Sequence, residues 1–297
     1  MKVAVTGATG FIGRYIVRHL LSAGHAVRAW YRDPIRQFEI GNECLSWVPG
    51  NLNDVASAGE LVTDCDAVIH AGLDRPGRTF RGGEGDLLEF VQTNLVGTLQ
   101  LVEAARSANV SRFVFISTCA VHEKILEDRL LDEAHPLWAS THYGAHKAAI
   151  EKFIHSYGMG FDYPICALRP TGVYGIADPV SESKWFSIVQ SVVRGRPVTC
   201  RRGGKEVHAA DVAAAAVLLL TAKDITGEAF NCYDRYVSEF DVATIAKELS
   251  GSQSKIDGEP KQPKHQIETG KLRSRGMSFG GGDQLRATIQ QMIDACR

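Results

Sequence analysis

The stretch from Val3 to Gly13, Val-Ala-Val-Thr-Gly-Ala-Thr-Gly-Phe-Ile-Gly, constrains this chain more than any other part of it. A short β-branched run meets three glycines spaced three apart (Gly7, Gly10 and Gly13), and an apolar helical pattern, Tyr15, Ile16 and Leu20, follows at once. The pattern reads as strand, tight turn, helix. In that reading Gly7 permits the turn, Gly10 lets a diphosphate approach the backbone, and Gly13 lets helix and strand pack closely. The helix aims its unpaired N–H groups and its positive dipole end at the same phosphate. Glycines at such a junction can be purely structural, but their place between a strand and a helix favours dinucleotide binding. A P-loop is set aside, because Arg14-Tyr15 follows Gly13 where that motif needs Lys-Ser/Thr.

Short apolar runs near residues 2–6, 26–31, 45–48, 67–71, 113–117 and 165–168 alternate with amphipathic runs near 13–23, 87–108 and 143–157. This alternation predicts an α/β fold, a Rossmann-type doubly wound parallel sheet. Its site should border the carboxyl ends of the strands, at Arg32-Asp33, Gly50-Asn51, Ala71-Gly72, Ser117-Thr118 and Arg169-Pro170. Beyond Pro170 the pattern changes. Residues 172–179 and 201–205 read as loop, 182–193 and 209–222 as helices, and 238–249 as a helix capped by Ser238. Residues 251–264 are polar and read as an exposed, mobile segment, before a last helix near 283–295. The expectation is a dinucleotide-binding domain of residues 1–169 with about 206–232. A small, mainly helical substrate lobe of 170–205 with about 233–297 would close over the crevice.

The 297 residues suffice for one large or two unequal domains, and a formal net charge of -1 gives no basic field for nucleic acid. Seven cysteines without a C-x-x-C pair read as reduced thiols. The first strand begins at residue 2, leaving no room for a cleavable leader, and the apolar run 213–220 is far short of the ~20 residues that span a bilayer. The expectation is a soluble, cytoplasmic protein with a small-molecule substrate and no nucleic-acid or membrane partner.

The second strand ends in Arg32-Asp33, about where the ribose 2′ position is read. An acid there accepts from the NAD hydroxyl, whereas an arginine pairs with the NADP phosphate. Both residues are present. Pro34 suits Asp33 to a turn or cap, which favours NADP, with NAD the alternative and Arg32 a solvated charge in the blander reading. Asn51 and Leu52 would contact the adenine edge, and Ala71-Gly72 leave room for the diphosphate and ribose.

Tyr143-Gly144-Ala145-His146-Lys147 sets a phenol and an ammonium at i and i+4 on one helix face. A lysine beside the tyrosine and a cationic nicotinamide above it would favour phenolate, so that Tyr143 could exchange a proton with a substrate oxygen. Ser117-Thr118 can supply the third hydrogen-bond donor. Taken alone, such a pair is more often an ordinary helix-surface contact; the glycine turn and the sheet pattern raise it to chemistry.

With these residues in view, the chain resembles an extended short-chain dehydrogenase/reductase, the NAD(P)-dependent epimerase/dehydratase family. The motifs are residues 6–13; Asn94-Leu95-Val96-Gly97-Thr98; Phe115-Ile116-Ser117-Thr118; Tyr143 with Lys147; Leu168-Arg169-Pro170 with Val173-Tyr174-Gly175; and Val207-His208 with Asp211. The resemblance implies Tyr143 as acid/base, Lys147 as its partner, Thr118 as hydroxyl donor, and a homodimer through two helices per subunit. It extends the cofactor contacts to Thr9, Phe11, Ile12, Asn94, Ser117, Tyr143, Lys147, Pro170 and Val173. Substrate contacts fall to Thr118, His122, Tyr174 and, in place of a missing arginine, Arg201 or Arg202.

Three departures narrow the reaction. Dehydratases of the family carry Asp-Glu after the Ser/Thr, where Cys119-Ala120 stand here. Epimerases carry a tyrosine where His122 stands. Nucleotide-sugar enzymes present an arginine to the diphosphate where residues 203–206, Gly-Gly-Lys-Glu, stand. The leading expectation is therefore an NADP-preferring oxidoreductase interconverting a secondary alcohol and a carbonyl. A nucleotide-sugar epimerase with tightly held NAD and a non-catalytic NADP-sensing regulator are the alternatives. Arg75, Arg78 and Arg81, in a glycine-rich loop, are candidate grips for a substrate phosphate or carboxylate, with solvated loop charges the plainer reading. His142 and His146 have a zinc-compatible i,i+4 spacing but no third ligand, so no metal is expected. Trp185-Phe186 read as substrate wall or lobe packing, and Cys119 as a small buried filler.

Overall fold

The computed structural model describes residues 1–38, 41, 43–77 and 82–296. In chain order its main elements are β1 (Lys2–Thr6), α1 (Phe11–Ser22), β2 (Ala26–Tyr31), β3 (Leu45–Pro49), α2 (Val55–Val62), β4 (Ala67–His70), α3 (Leu87–Val91) and α4 (Gly97–Ser107). There follow β5 (Arg112–Ile116), α5 (His142–His155), β6 (Ile165–Pro170), β7 (Gly172–Tyr174), α6 (Phe186–Val193), β8 (Val198–Cys200), β9 (Gly203–His208) and α7 (Ala209–Leu219). The chain ends with β10 (Glu228–Cys232), β11 (Arg235–Ser238), α8 (Glu239–Ser250), β12 (Ile256–Gly258), α9 (Gly270–Arg273) and α10 (Gly281–Asp294).

The chain divides into two compact units. The first comprises residues 1–170, 212–232 and 268–277 and holds a seven-stranded sheet in the order β10-β6-β5-β4-β1-β2-β3. All six of its strand pairs are parallel. Central strands of such a sheet lie under helices on both faces, which is why Val3, Ala4, Val5, Val68 and Ile69 form unbroken apolar runs that are wholly buried. The strand order reverses between β1 and β4, and the crevice outside their carboxyl ends is where doubly wound sheets bind ligands. The run read as one helix over 87–108 is continuous but includes a π turn, Gln92–Val96, between α3 and α4.

The second unit comprises residues 171–211, 233–267 and 278–297. Its helices α6, α8 and α10 pack around Val189, Val192, Val242, Ala246, Ile289 and Met292. Two small sheets accompany them, β11-β9-β7 and β12-β8. Here the sequence reading needs correction at four places. Residues 172–179 and 201–205 were expected as loop, yet Gly172–Tyr174 pairs parallel with the end of β9, and β9 begins at Gly203. Residues 251–264 are largely exposed, as expected, yet Ile256–Gly258 pairs with β8 and Ser254 is buried, its hydroxyl donating to the Arg196 carbonyl. The seventh strand of the first unit, β10, also lies outside the expected set. Each of these strands is three to six residues long and rich in Gly, Glu, Asn or Asp, so neither length nor β-propensity marks it. Tertiary pairing supplies what local preference lacks.

Candidate active site

The glycine turn is fixed by backbone contacts. Gly7 has φ +66, and a Cβ there would lie 2.5 Å from the Ala71 carbonyl oxygen. A Cβ on Gly13 would lie 2.0 Å from the Gly7 oxygen, so the helix can approach the strand only without one. Gly10 is exposed and stands at the N-cap of α1, with no side-chain acceptor and no acid in the first turn. In the same unit α2, α3 and α5 are capped by Asp54, Asp86 and Thr141. The leading N–H groups of α1 therefore lack an internal acceptor and suit a diphosphate, and the residues present fit a dinucleotide. Thr9 accepts from Arg14 Nε at 3.3 Å, while Phe11 and Ile12 are half-buried in the first turn of α1.

At the end of β2, Asp33 accepts from the Ile35 amide at 3.0 Å and caps the short turn Pro34–Arg36. That is the cap role its neighbour Pro34 suggested. Arg32 pairs with Asp74 on the surface. Asn51 is exposed and accepts from the Asn53 amide, whereas Leu52 is buried with its carbonyl against Gly97.

A row of hydrogen bonds runs beneath the turn. The Gly72 amide donates to Thr6 Oγ1 (3.0 Å), Thr6 Oγ1 meets His70 Nδ1 (2.5 Å), and His70 Nε2 meets Thr98 Oγ1 (2.9 Å). Thr98 donates to the Asn94 carbonyl (2.6 Å). Burial, aided by the charge of Lys147, holds His70 down to about 3, so it is neutral. Thr98 gives its only proton to Asn94, so it accepts from His70 Nε2–H; Nδ1 then accepts from Thr6. Asn94, expected at the cofactor, is instead turned onto the loop. Its Oδ1 accepts from the Asp74 amide at 2.7 Å, and its Nδ2 donates to the Asp74 and Phe90 carbonyls.

Of the residues read as catalytic, Thr118 and Tyr143 meet directly, while Ser117 and Lys147 bond to other partners along the end of β5. Thr118 Oγ1 accepts from the Ala120 amide at 3.1 Å, which leaves its proton for the Tyr143 oxygen. Burial raises the Tyr143 phenol above its ordinary value, while the Thr118 hydrogen bond and the Arg75 charge oppose the rise. Lys147 is 4 % exposed, donates to the Ile116 carbonyl at 2.8 Å and lies 4.3 Å over the Phe115 ring. Burial brings it down to about 7 against the opposing pull of Glu151. Burial thus keeps this tyrosine a phenol, and the phenolate expectation rests on the lysine and a cationic nicotinamide acting together.

Beneath them lies a charged network that sequence reasoning missed. Arg169, 1 % exposed, gives Nε to both oxygens of Glu151 at 3.0 Å and Nη2 to Oε2 at 2.5 Å. Its Nη1 meets His122 Nε2 at 3.2 Å and the Glu133 carbonyl at 3.1 Å. Ser117 donates to Glu151 Oε1 at 2.5 Å, so this hydroxyl faces the network where a cofactor contact was expected. His122, read as a substrate contact, is buried with Nδ1 donating to the Pro136 carbonyl. The available signal was periodicity, since Glu151 follows Tyr143 and Lys147 at further steps of four.

Pro170 ends β6 and is buried. Val173, Tyr174 and Arg202 belong to the second unit. There Tyr174 is wholly buried in the unit's core and Arg202 is exposed. Trp185, at φ +70, flanks Phe186 of the same core. Arg78 and Arg81 lie outside the described residues. His142 is exposed and His146 buried, and among the described residues no cluster could hold a metal ion. Nor is any described helix long and apolar enough to cross a membrane.

Residues 3–232 match the model of the NAD dependent epimerase/dehydratase family. A dTDP-D-glucose 4,6-dehydratase from Mus musculus is 33% identical over 265 residues, covering 84% of this chain and 72% of that protein. The low-salt glycan biosynthesis protein Agl12 of Haloferax volcanii is 30% identical over 244 residues, 78% of this chain and 76% of the relative. The crystal structure of a Thermus thermophilus UDP-glucose 4-epimerase complexed with NAD superimposes with a TM-score of 0.78 at 24% identity, covering 98% of this chain and 99% of that one.

Proposed function

The chain belongs to the NAD dependent epimerase/dehydratase family, and from that premise we propose an oxidoreductase that interconverts a secondary alcohol and a carbonyl on a small polar substrate. The observation that carries this reading is the pairing of Thr118 with Tyr143 beside a sealed Cys119. A dehydratase needs an acid and a base directly after the hydroxyl residue. Here the Cys119 thiol donates to the Arg169 carbonyl at 3.0 Å, and burial pushes it up to about 12. Ala120 beside it has no proton to exchange. Elimination therefore lacks its groups, whereas simple proton exchange at one oxygen has them.

In the proposed reaction a nicotinamide, when bound, takes or gives the hydride. Tyr143 gives a proton to the carbonyl oxygen or takes one from the hydroxyl. Thr118 holds that oxygen by a hydrogen bond from its hydroxyl, which keeps its own proton. Lys147 and Arg75 offset negative charge left on Tyr143. Gly7, Gly10, Gly13 and the start of α1 would hold the diphosphate. NADP is the proposed cofactor, supported by Asp33 being engaged as a cap while Arg32 stands at the ribose end of β2. A homodimer is part of the same proposal.

Absorbance at 340 nm across a panel of alcohols, ketones and sugars checks the reaction. Net cofactor turnover is expected, faster with NADP than NAD, and Tyr143→Phe should lower kcat by about 10²–10⁴ with cofactor affinity kept. Stereochemical inversion without cofactor turnover would replace the proposal with an epimerase. An active Tyr143→Phe enzyme would end the assignment of the tyrosine.

A further inference from the structure

On α5, Tyr143, Lys147 and Glu151 share one face at steps of four. They meet consecutive positions at the end of β5. Lys147 covers Phe115 and donates to Ile116, Glu151 accepts from Ser117, and Tyr143 pairs with Thr118. Lys147 and Glu151 are both almost wholly buried. An ammonium with one carbonyl acceptor is costly to bury unless an anion stands near. Around Lys147 the titratable groups are His70 from β4 and Tyr143, a phenol, with His146 and Glu151 from its own helix. Both histidines are held neutral by burial, at about 3, and β5 offers only Phe115 and Ile116. Glu151 is thus the anion available, and the Arg169 fork with the Ser117 hydroxyl keeps its carboxylate from turning.

We propose that Glu151 is a positioning residue for the proton-transfer pair: clamped by Arg169 and Ser117, its fixed charge holds a larger share of Lys147 in the cationic form. The proposal rests on the reading of Lys147 as the cofactor-side partner of Tyr143. Burial leaves Lys147 near half-charged at neutral pH, so without the carboxylate it would lose its proton at lower pH.

The test is NADPH affinity, read by fluorescence from pH 5 to 9.5, in the wild type, Glu151→Gln and Lys147→Met. Wild-type affinity is expected to fall as Lys147 loses its proton. In Glu151→Gln that fall should move at least about one pH unit lower, and in Lys147→Met it should vanish. A fall that vanishes in Lys147→Met but stays in place in Glu151→Gln overturns this proposal alone. A fall that persists in Lys147→Met overturns the underlying reading of the lysine. Should Glu151→Gln not fold, Glu151→Asp, one methylene further away, should move the fall the same way by less; no movement there also overturns the proposal. A merely structural role for Glu151 would lower Tm in these variants and leave the pH dependence unmoved.

Discussion

At the scale of the residue, most of what matters around the turn is the absence or the tautomer of a side chain. Gly13 is the sharpest case, since the atom that any other residue adds would meet backbone at 2.0 Å and has no flexible neighbour to displace. Gly13→Ala should cost about 3 kcal/mol or more of stability, seen in urea unfolding of the cofactor-free protein. An unchanged midpoint would mean the helix can slide. Gly7 and Gly13 were legible because spacing alone assigns them. Asn94 and Ser117 were not: their chemistry suits a ligand, and only coordinates reveal that the Asp74 loop and Glu151 already hold them. The burial of Tyr174 was not legible either, because a motif says which residue recurs but not which way it faces.

Among the elements, α1 differs from its neighbours in how it begins. Its exposed N-cap glycine leaves the first N–H groups to solvent or a ligand, whereas α8 closes on itself with a capping box of Ser238 and Asp241. Filling the position should separate the two uses of a helix start. Gly10→Asp supplies a cap and a negative charge, so the expected result is a Tm of the free protein changed by only a few degrees and NADPH affinity weakened at least tenfold. Equal affinity would place the diphosphate elsewhere. The long parallel-sheet elements were readable from periodicity, because burial on both faces writes itself into the sequence as β-branched runs. The three-residue strands β7, β8 and β12 carry no such imprint, since partners far along the chain create them.

For the whole molecule, buried histidines set the response to acid. His70 and His146 titrate at about 3 and His122 and His208 at about 4, each lowered chiefly by burial from 6.5. Between those values the unfolded chain binds more protons than the folded one, so the histidines' contribution to stability is full above pH 6.5 and is lost as pH falls toward 4. Each histidine contributes a slope of up to about 1.4 kcal/mol per pH unit. Asp211, raised by burial to about 6, works the other way and returns part of the loss below that pH. The expected net result is a urea midpoint that drops steeply from pH 6.5 to 4.5, and less steeply in His146→Phe. A midpoint constant over that range would show the imidazoles to be more accessible than their burial indicates.

One consequence of the Gly72–Thr6–His70–Thr98–Asn94 row remains. Each hydroxyl has one hydrogen and each is already assigned, so the row has a single sense, like a zip that closes from one end. A visiting ligand finds its floor sorted before it arrives and need not reorder it. Replacing any link would let the sense lapse, and the damage would register as slack in the Gly72 loop before it registered as any change of fold.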